Sequence, residues 1–160
     1  MSTNTVEIYK ITNNVLRDYF NDLSNQEGKK IFKPMNCISW MIGHLACINY
    51  NIVARNSKNG SIPDINDKFG NGSPHFQPEI LDVISLWETS VRECFAFLDQ
   101  MEEEDLKNKI SDSKMNFNLG TDISRLTFHA WNHMGEIAAV RQFLGKDPGN
   151  PGYGKWDWRY

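Results

Sequence analysis

Apolar residues recur along most of the chain at alternating steps of three and four, the spacing that lines one face of a helix. The clearest stripe is Ile80, Ile84, Trp87, Val91, Cys94, Leu98 and Met101. With Pro78 suited to a first turn, it predicts a helix over about 78–101. A second stripe, Ile123, Leu126, Ala130, His133, Ile137, Val140 and Leu144, opens at Thr121 as a candidate N-cap and closes at Gly145. It predicts a helix over about 122–144. Asn36 is placed to cap a helix over about 37–55 whose inner face carries Ile38, Met41, Leu45, Ile48 and Ile52. A less regular stripe, Ile8, Ile11, Val15, Tyr19 and Leu23, is widened by Leu16 and Phe20. It predicts a first helix over about 3–23.

Nowhere do apolar and polar residues alternate long enough to compete as a strand, so the expected fold class is all-α, a four-helix bundle. Residues 56–77 carry Gly and Pro breakers and no helical stripe, and read as a long connection. A connection of that length can cross the bundle and lets the second and third long helices run parallel, giving up-down-down-up topology. The acidic run Met101–Leu106 can add one turn before the last helix. The tail, 146–160, is too rich in Gly and Pro to continue that helix, yet it carries Tyr153, Trp156, Trp158 and Tyr160. Packing on the bundle is the expected fate of so much apolar area.

The chain has 160 residues, 40% of them hydrophobic and 23% charged, which suits one domain over 1–160 with a buried core. Its net charge is −3, and no Lys/Arg stripe interleaves with aromatics, so nucleic acid is not an expected ligand. No secretory leader or spanning segment is read, and the expected compartment is the cytoplasm. Cys37, Cys47 and Cys94 are an odd set without CxxC spacing, expected as small core residues and not as a disulfide framework.

Four histidines carry the candidate chemistry. His129 and His133 are one turn apart on the inward arc of their helix, and His44 lies on the side of its own helix that also carries Trp40, Met41, Cys47 and Ile48. A lone pair of this kind is commonly incidental, and a lone inward histidine is commonly a hydrogen-bonded core residue. Three inward imidazoles together make a candidate ligand set for zinc, nickel, iron or copper, and three protein ligands leave a coordination position open. Beside them, Glu136 can orient a ligand, act as a general base, or pair with a cation such as Arg141. Cys47 is within plausible reach of the cavity. His75, in the long connection, is kept outside the ligand set. Arg55 and Arg141 can anchor an anionic group, with surface ion pairing the commoner outcome.

The stretches NCISWMIGHLACIN and HAWNHMGEIAAVRQFLG resemble the second and fourth helices of the DinB/YfiT-like metalloenzyme superfamily, where a W-x-x-x-H-L helix joins an H-x-x-x-H-x-G pair. The resemblance implies an up-down-down-up bundle, often a homodimer, with one divalent metal held by His44, His129 and His133. Nickel or zinc is most frequent, with iron or manganese elsewhere. It also implies that Gly135 lets helices approach. Two positions depart from the pattern: Glu136 stands where Gln is more usual, and Asn132 where an aromatic or His is common. The implied activity is a metal-dependent transferase using a low-molecular-weight thiol on a small electrophile, or a hydrolase using metal-bound water. The alternative is a metal-binding stress or interaction protein without turnover.

Overall fold

The computed structural model describes residues 4–56, 63–108 and 117–149. Within them the regular elements are helical: α1 (Asn4–Arg17), α2 (Asn25–Gly28), α3 (Ile38–Asn56), α4 (Asn66–Phe69), α5 (Ile80–Leu98), a 3-10 turn at Asp105–Lys107, and α6 (Leu119–Phe143). Among the described residues no helix is long and apolar enough to cross a membrane.

The four long helices fall where the stripes put them, with corrections at their ends. α1 stops at Arg17, because the amides of Tyr19 and Phe20 turn back to the carbonyls of Leu16 and Arg17 three residues earlier. Tyr19, Phe20 and Leu23 are nevertheless buried, so the apolar stripe outlasts the helix. The inward face of α1 is also rotated from the one expected. Val6, Tyr9, Thr12, Asn13, Val15 and Leu16 are buried, whereas Ile8 and Ile11 are only partly so. α5 runs from Ile80 to Leu98, leaving Pro78 ahead of its first turn and Met101 beyond its end.

α6 begins a turn earlier than expected, since Asn118 and not Thr121 is its N-cap: Asn118 Oδ1 accepts the Thr121 amide at 2.8 Å. Asn36 does not cap α3; its Oδ1 is buried without a hydrogen-bond partner. The connection after α3 is not featureless, for it contains α4, and its residues 57–62 lie outside the described residues. The acidic run does form a turn, the 3-10 element. The tail aromatics Tyr153, Trp156, Trp158 and Tyr160 lie outside the described residues.

α3 is the central element. Every residue from Cys37 to Tyr50 is buried, so it is a core helix and not a one-sided amphipathic one. It lies chiefly against α5, while α1 lies chiefly against α6. Two apolar clusters share the interior. One joins Val15 and Leu16, Ile38 to Ile48, Ile80 to Val91, and Ala130 to Val140, with Phe20 edge-on to Trp87 at 5.0 Å. The other joins Val6 and Tyr9, Ile52 and Val53, Cys94 and Leu98, and Leu119 and Ile123. A fully buried side chain of this size contributes roughly 1.5–3 kcal/mol. Polar groups on α3 are therefore deep inside by default.

Candidate metal centre

α3 carries His44 into the first cluster at 7% exposure, and α6 brings His133 at 9%, with His129 one turn before it and the least buried of the three. Their Nε2 atoms converge: His44 to His129 is 3.1 Å and His129 to His133 is 2.9 Å. One ligand atom from each ring lies within 4.8 Å of the others.

The partners of the remaining ring nitrogens decide what this cluster can accept. His44 Nδ1 lies 2.5 Å from the backbone carbonyl of Phe69, which can only accept, so Nδ1 carries the proton and Nε2 a lone pair. His133 Nδ1 donates in the same way to Glu136 Oε2 at 2.6 Å, and in the neutral ring this leaves Nε2 as the acceptor. With the three rings neutral, as a metal requires of its ligands, these nitrogens face one another with at most one hydrogen, that of His129, among them. Buried acceptors without donors cost about 1–3 kcal/mol each, and a cation removes that cost. Nitrogens about 2.0–2.1 Å from one ion stand roughly 3 Å apart, which matches the two short separations. The donor set fits a divalent metal of the borderline class that imidazole binds.

Burial pushes the His44 imidazole below its ordinary value, and burial followed by the neighbouring His133 and His44 rings lowers His129 from 6.5 to about 4. Both rings are neutral near pH 7, as ligands must be. Trp40 stacks on His44, ring centroids 5.2 Å apart and nearly parallel, and its buried Nε1–H has no acceptor. His75 lies against Trp40 at 6.2 Å and is not among the converging nitrogens.

Glu136, Arg141 and Gly135 fall out differently from their sequence readings, whereas Cys47 is a buried core residue as expected. Glu136 orients His133 and does not pair with Arg141; its other oxygen accepts from Asn132 Nδ2 at 3.4 Å, so the two departures from the family pattern touch each other. Arg141 is 4% exposed and bonds Asp22 at 2.6 Å together with the Tyr19 and Asp147 carbonyls, which makes it a buried tie and not a surface pair. Arg55 lies 3.5 Å from the buried Asp122, about 16 Å along α3 from His44. Cys47 does not join the cluster: its Sγ donates to Asn66 Oδ1 at 3.2 Å, and burial pushes the thiol up to about 11. A Cβ on Gly135 would meet nothing within 4 Å, so this glycine does not mediate a close approach among the described residues.

Two contributors have no counterpart among the sequence candidates. One is the Phe69 carbonyl, a backbone atom with no signature in residue type. The other is Gly43, where a Cβ would fall 2.1 Å from the Phe69 ring; its place beside His44 was the available signal.

A family model described as the DinB superfamily matches residues 8–137, a span containing all three histidines, Gly43, Phe69 and Glu136. No curated protein matches the chain.

Proposed function

Because the chain belongs to the DinB superfamily, we propose that His44, His129 and His133 bind one divalent metal ion and that the ion serves a reaction of small molecules. The observation that carries this reading is the convergence of three Nε2 atoms, two of them fixed as acceptors by their Nδ1 partners. When bound, such an ion supplies Lewis acidity that makes a coordinated thiol or water nucleophilic near neutral pH.

The chain's own groups do the rest. His44 and His133 are oriented by Phe69 and Glu136, and Trp40 walls the cluster beside His44. No protein thiol is poised as nucleophile: burial holds Cys47 at about 11 and Cys94 at about 12, and the Cys37 sulfur lies 3.3 Å from Ser39 Oγ in a buried contact. The nucleophile therefore comes from outside, which favours a transferase using a low-molecular-weight thiol, with the hydrolase as its variant. Nickel or zinc is the ion we favour.

Elemental analysis of untagged protein tests the metal, and one equivalent lost on substitution of the triad is the expected result. Turnover is tested by incubating metal-loaded protein with a panel of small thiols and monochlorobimane. Rates equal to the metal-free control across the panel would leave a metal-binding protein without transferase activity.

The helix polarity we favour is up-down-down-up. The starts of α3 and α5 share one apolar cluster with the ends of α1 and α6, and the opposite ends share the other. A homodimer in the cytoplasm completes the reading. Sedimentation velocity tests the dimer.

A further inference from the structure

α4 is a single turn, yet it is fastened at both ends to the stretch of α3 that holds His44. At its start Asn66 Oδ1 accepts from Asn51 Nδ2 at 3.0 Å and from Cys47 Sγ at 3.2 Å, while Asn66 Nδ2 donates to Asp64 at 2.9 Å. At its end the Phe69 ring fills the notch left by Gly43: three ring atoms lie within 2.6 Å of where a Cβ would stand. Phe69 is 5% exposed and also touches Phe76, ring centroids 5.2 Å apart. From that anchored position its carbonyl receives the His44 Nδ1 proton. α4 therefore lies back along α3 from Asn51 toward Gly43, as a strap whose last residue holds a ring of the triad.

We infer that this strap is the positioning device of the metal centre: Gly43 and Phe69 set the orientation and tautomer of His44, and metal binding in turn fastens the strap. The inference rests on the metal site proposed above. The physical ground is that a ring nitrogen held by a partner fixes which nitrogen faces the ion, and loss of such a partner commonly weakens binding 10–100-fold. Coupling between two equilibria is reciprocal, so the ion must favour the closed strap by the same factor that the closed strap favours the ion. Gly43 is required here because any side chain would occupy the space of the Phe69 ring. Asn66, exposed at the surface, contributes only the tether at the far end.

The test uses the full-length untagged protein and cobalt(II), whose visible bands report its ligand field. Cobalt that binds His129→Ala as tightly as wild type, with the same spectrum, would overturn the triad itself. With triad binding established, saturating cobalt should slow exchange of the Lys68, Phe69 and Gly70 amides, which bond the Ile65 and Asn66 carbonyls, by about 10–100-fold. Gly43→Ala should bind cobalt about 10–100-fold more weakly with an altered visible spectrum, and Asn66→Ala less than about tenfold more weakly. A strap that merely packs would leave the cobalt spectrum unchanged. Unaltered exchange of the three amides, or a folded Gly43→Ala with wild-type affinity and spectrum, would overturn the inference while leaving the triad standing. Should Gly43→Ala fail to fold, the exchange experiment on wild type decides.

Discussion

Two groups of polar side chains lie inside the same all-helical fold, and they are balanced in opposite ways. Toward one end, Tyr9 on α1 donates to Asn49 Oδ1 at 2.6 Å, Asn49 Nδ2 on α3 donates to Ser90 Oγ at 3.0 Å, and Ser90 on α5 donates to the Trp87 carbonyl at 2.7 Å. Each of these donors has an acceptor, and the chain of bonds ties three helices together. Toward the other end, the three histidines present lone pairs to one another with at most one hydrogen to share. The first group is closed and so is structural. With its rings neutral the second has more acceptors than donors, and that deficit of hydrogens sets it apart from the closed group.

The largest effect should come from the open group. His44→Ala, His129→Ala or His133→Ala should each weaken metal binding by more than about 100-fold, roughly 2.7 kcal/mol, beyond the range of second-sphere losses. Competition with a chromophoric chelator measures it, and metal-free stability should change much less. Asn49→Ala should do the reverse. It strands the Tyr9 hydroxyl and should cost about 1–3 kcal/mol in urea unfolding while leaving metal affinity alone. If Asn49→Ala weakened the metal as much as a histidine variant does, the two groups would not be separate.

Glu136→Ala comes next, at about tenfold in metal affinity, because it frees His133 Nδ1 but removes no ligand. Glu136→Gln, which can still accept from Nδ1, should lose less.

The last expected effect is one of pH on the metal-free protein. His129 is held at about 4 against an ordinary 6.5, so the unfolded chain takes up its proton first. The stability gained from the neutral ring is full above about 6.5 and is lost as pH falls toward about 4. Urea midpoints across that window, with chelator present, should therefore drop in acid, and His129→Ala should flatten the slope. Asn49→Ala should not, since Tyr9 titrates well above its ordinary 10 owing to burial and the closed group has nothing else to protonate there.

Periodicity made the four long helices legible because burial in a bundle imposes a spacing on side chains, and side chains are what a sequence records. It failed at α1, where Tyr19, Phe20 and Leu23 stay buried after the helix has turned away, so the stripe no longer marks the element. It mistook the face of the same helix because Thr12 and Asn13 are buried among apolar neighbours. Thr12 Oγ1 accepts from Trp131 Nε1 and donates to the Ile8 carbonyl, and Asn13 donates to the Tyr9 carbonyl, so neither needs water. Of the candidate site, the triad was readable from turn spacing and resemblance, and the reach of Glu136 to His133 from its offset of three. The grip on His44 was not, because it is made by a backbone oxygen. Arg141 looked like a surface cation because Asp22 and the Tyr19 carbonyl, which it bonds, come from a distant part of the chain.

The three histidines are also unevenly distributed in time. His129 and His133 share one helix and can meet as soon as α6 coils, whereas His44 is separated from His129 by 85 positions and arrives only when α3 has docked. An ion present during refolding can therefore be held by two rings early and by three only near the end of the process. Contacts completed after the rate-limiting barrier slow unfolding and barely hasten folding. Metal binding by the proposed triad is therefore expected to slow unfolding more than it speeds folding, which stopped-flow unfolding and refolding with and without metal measure.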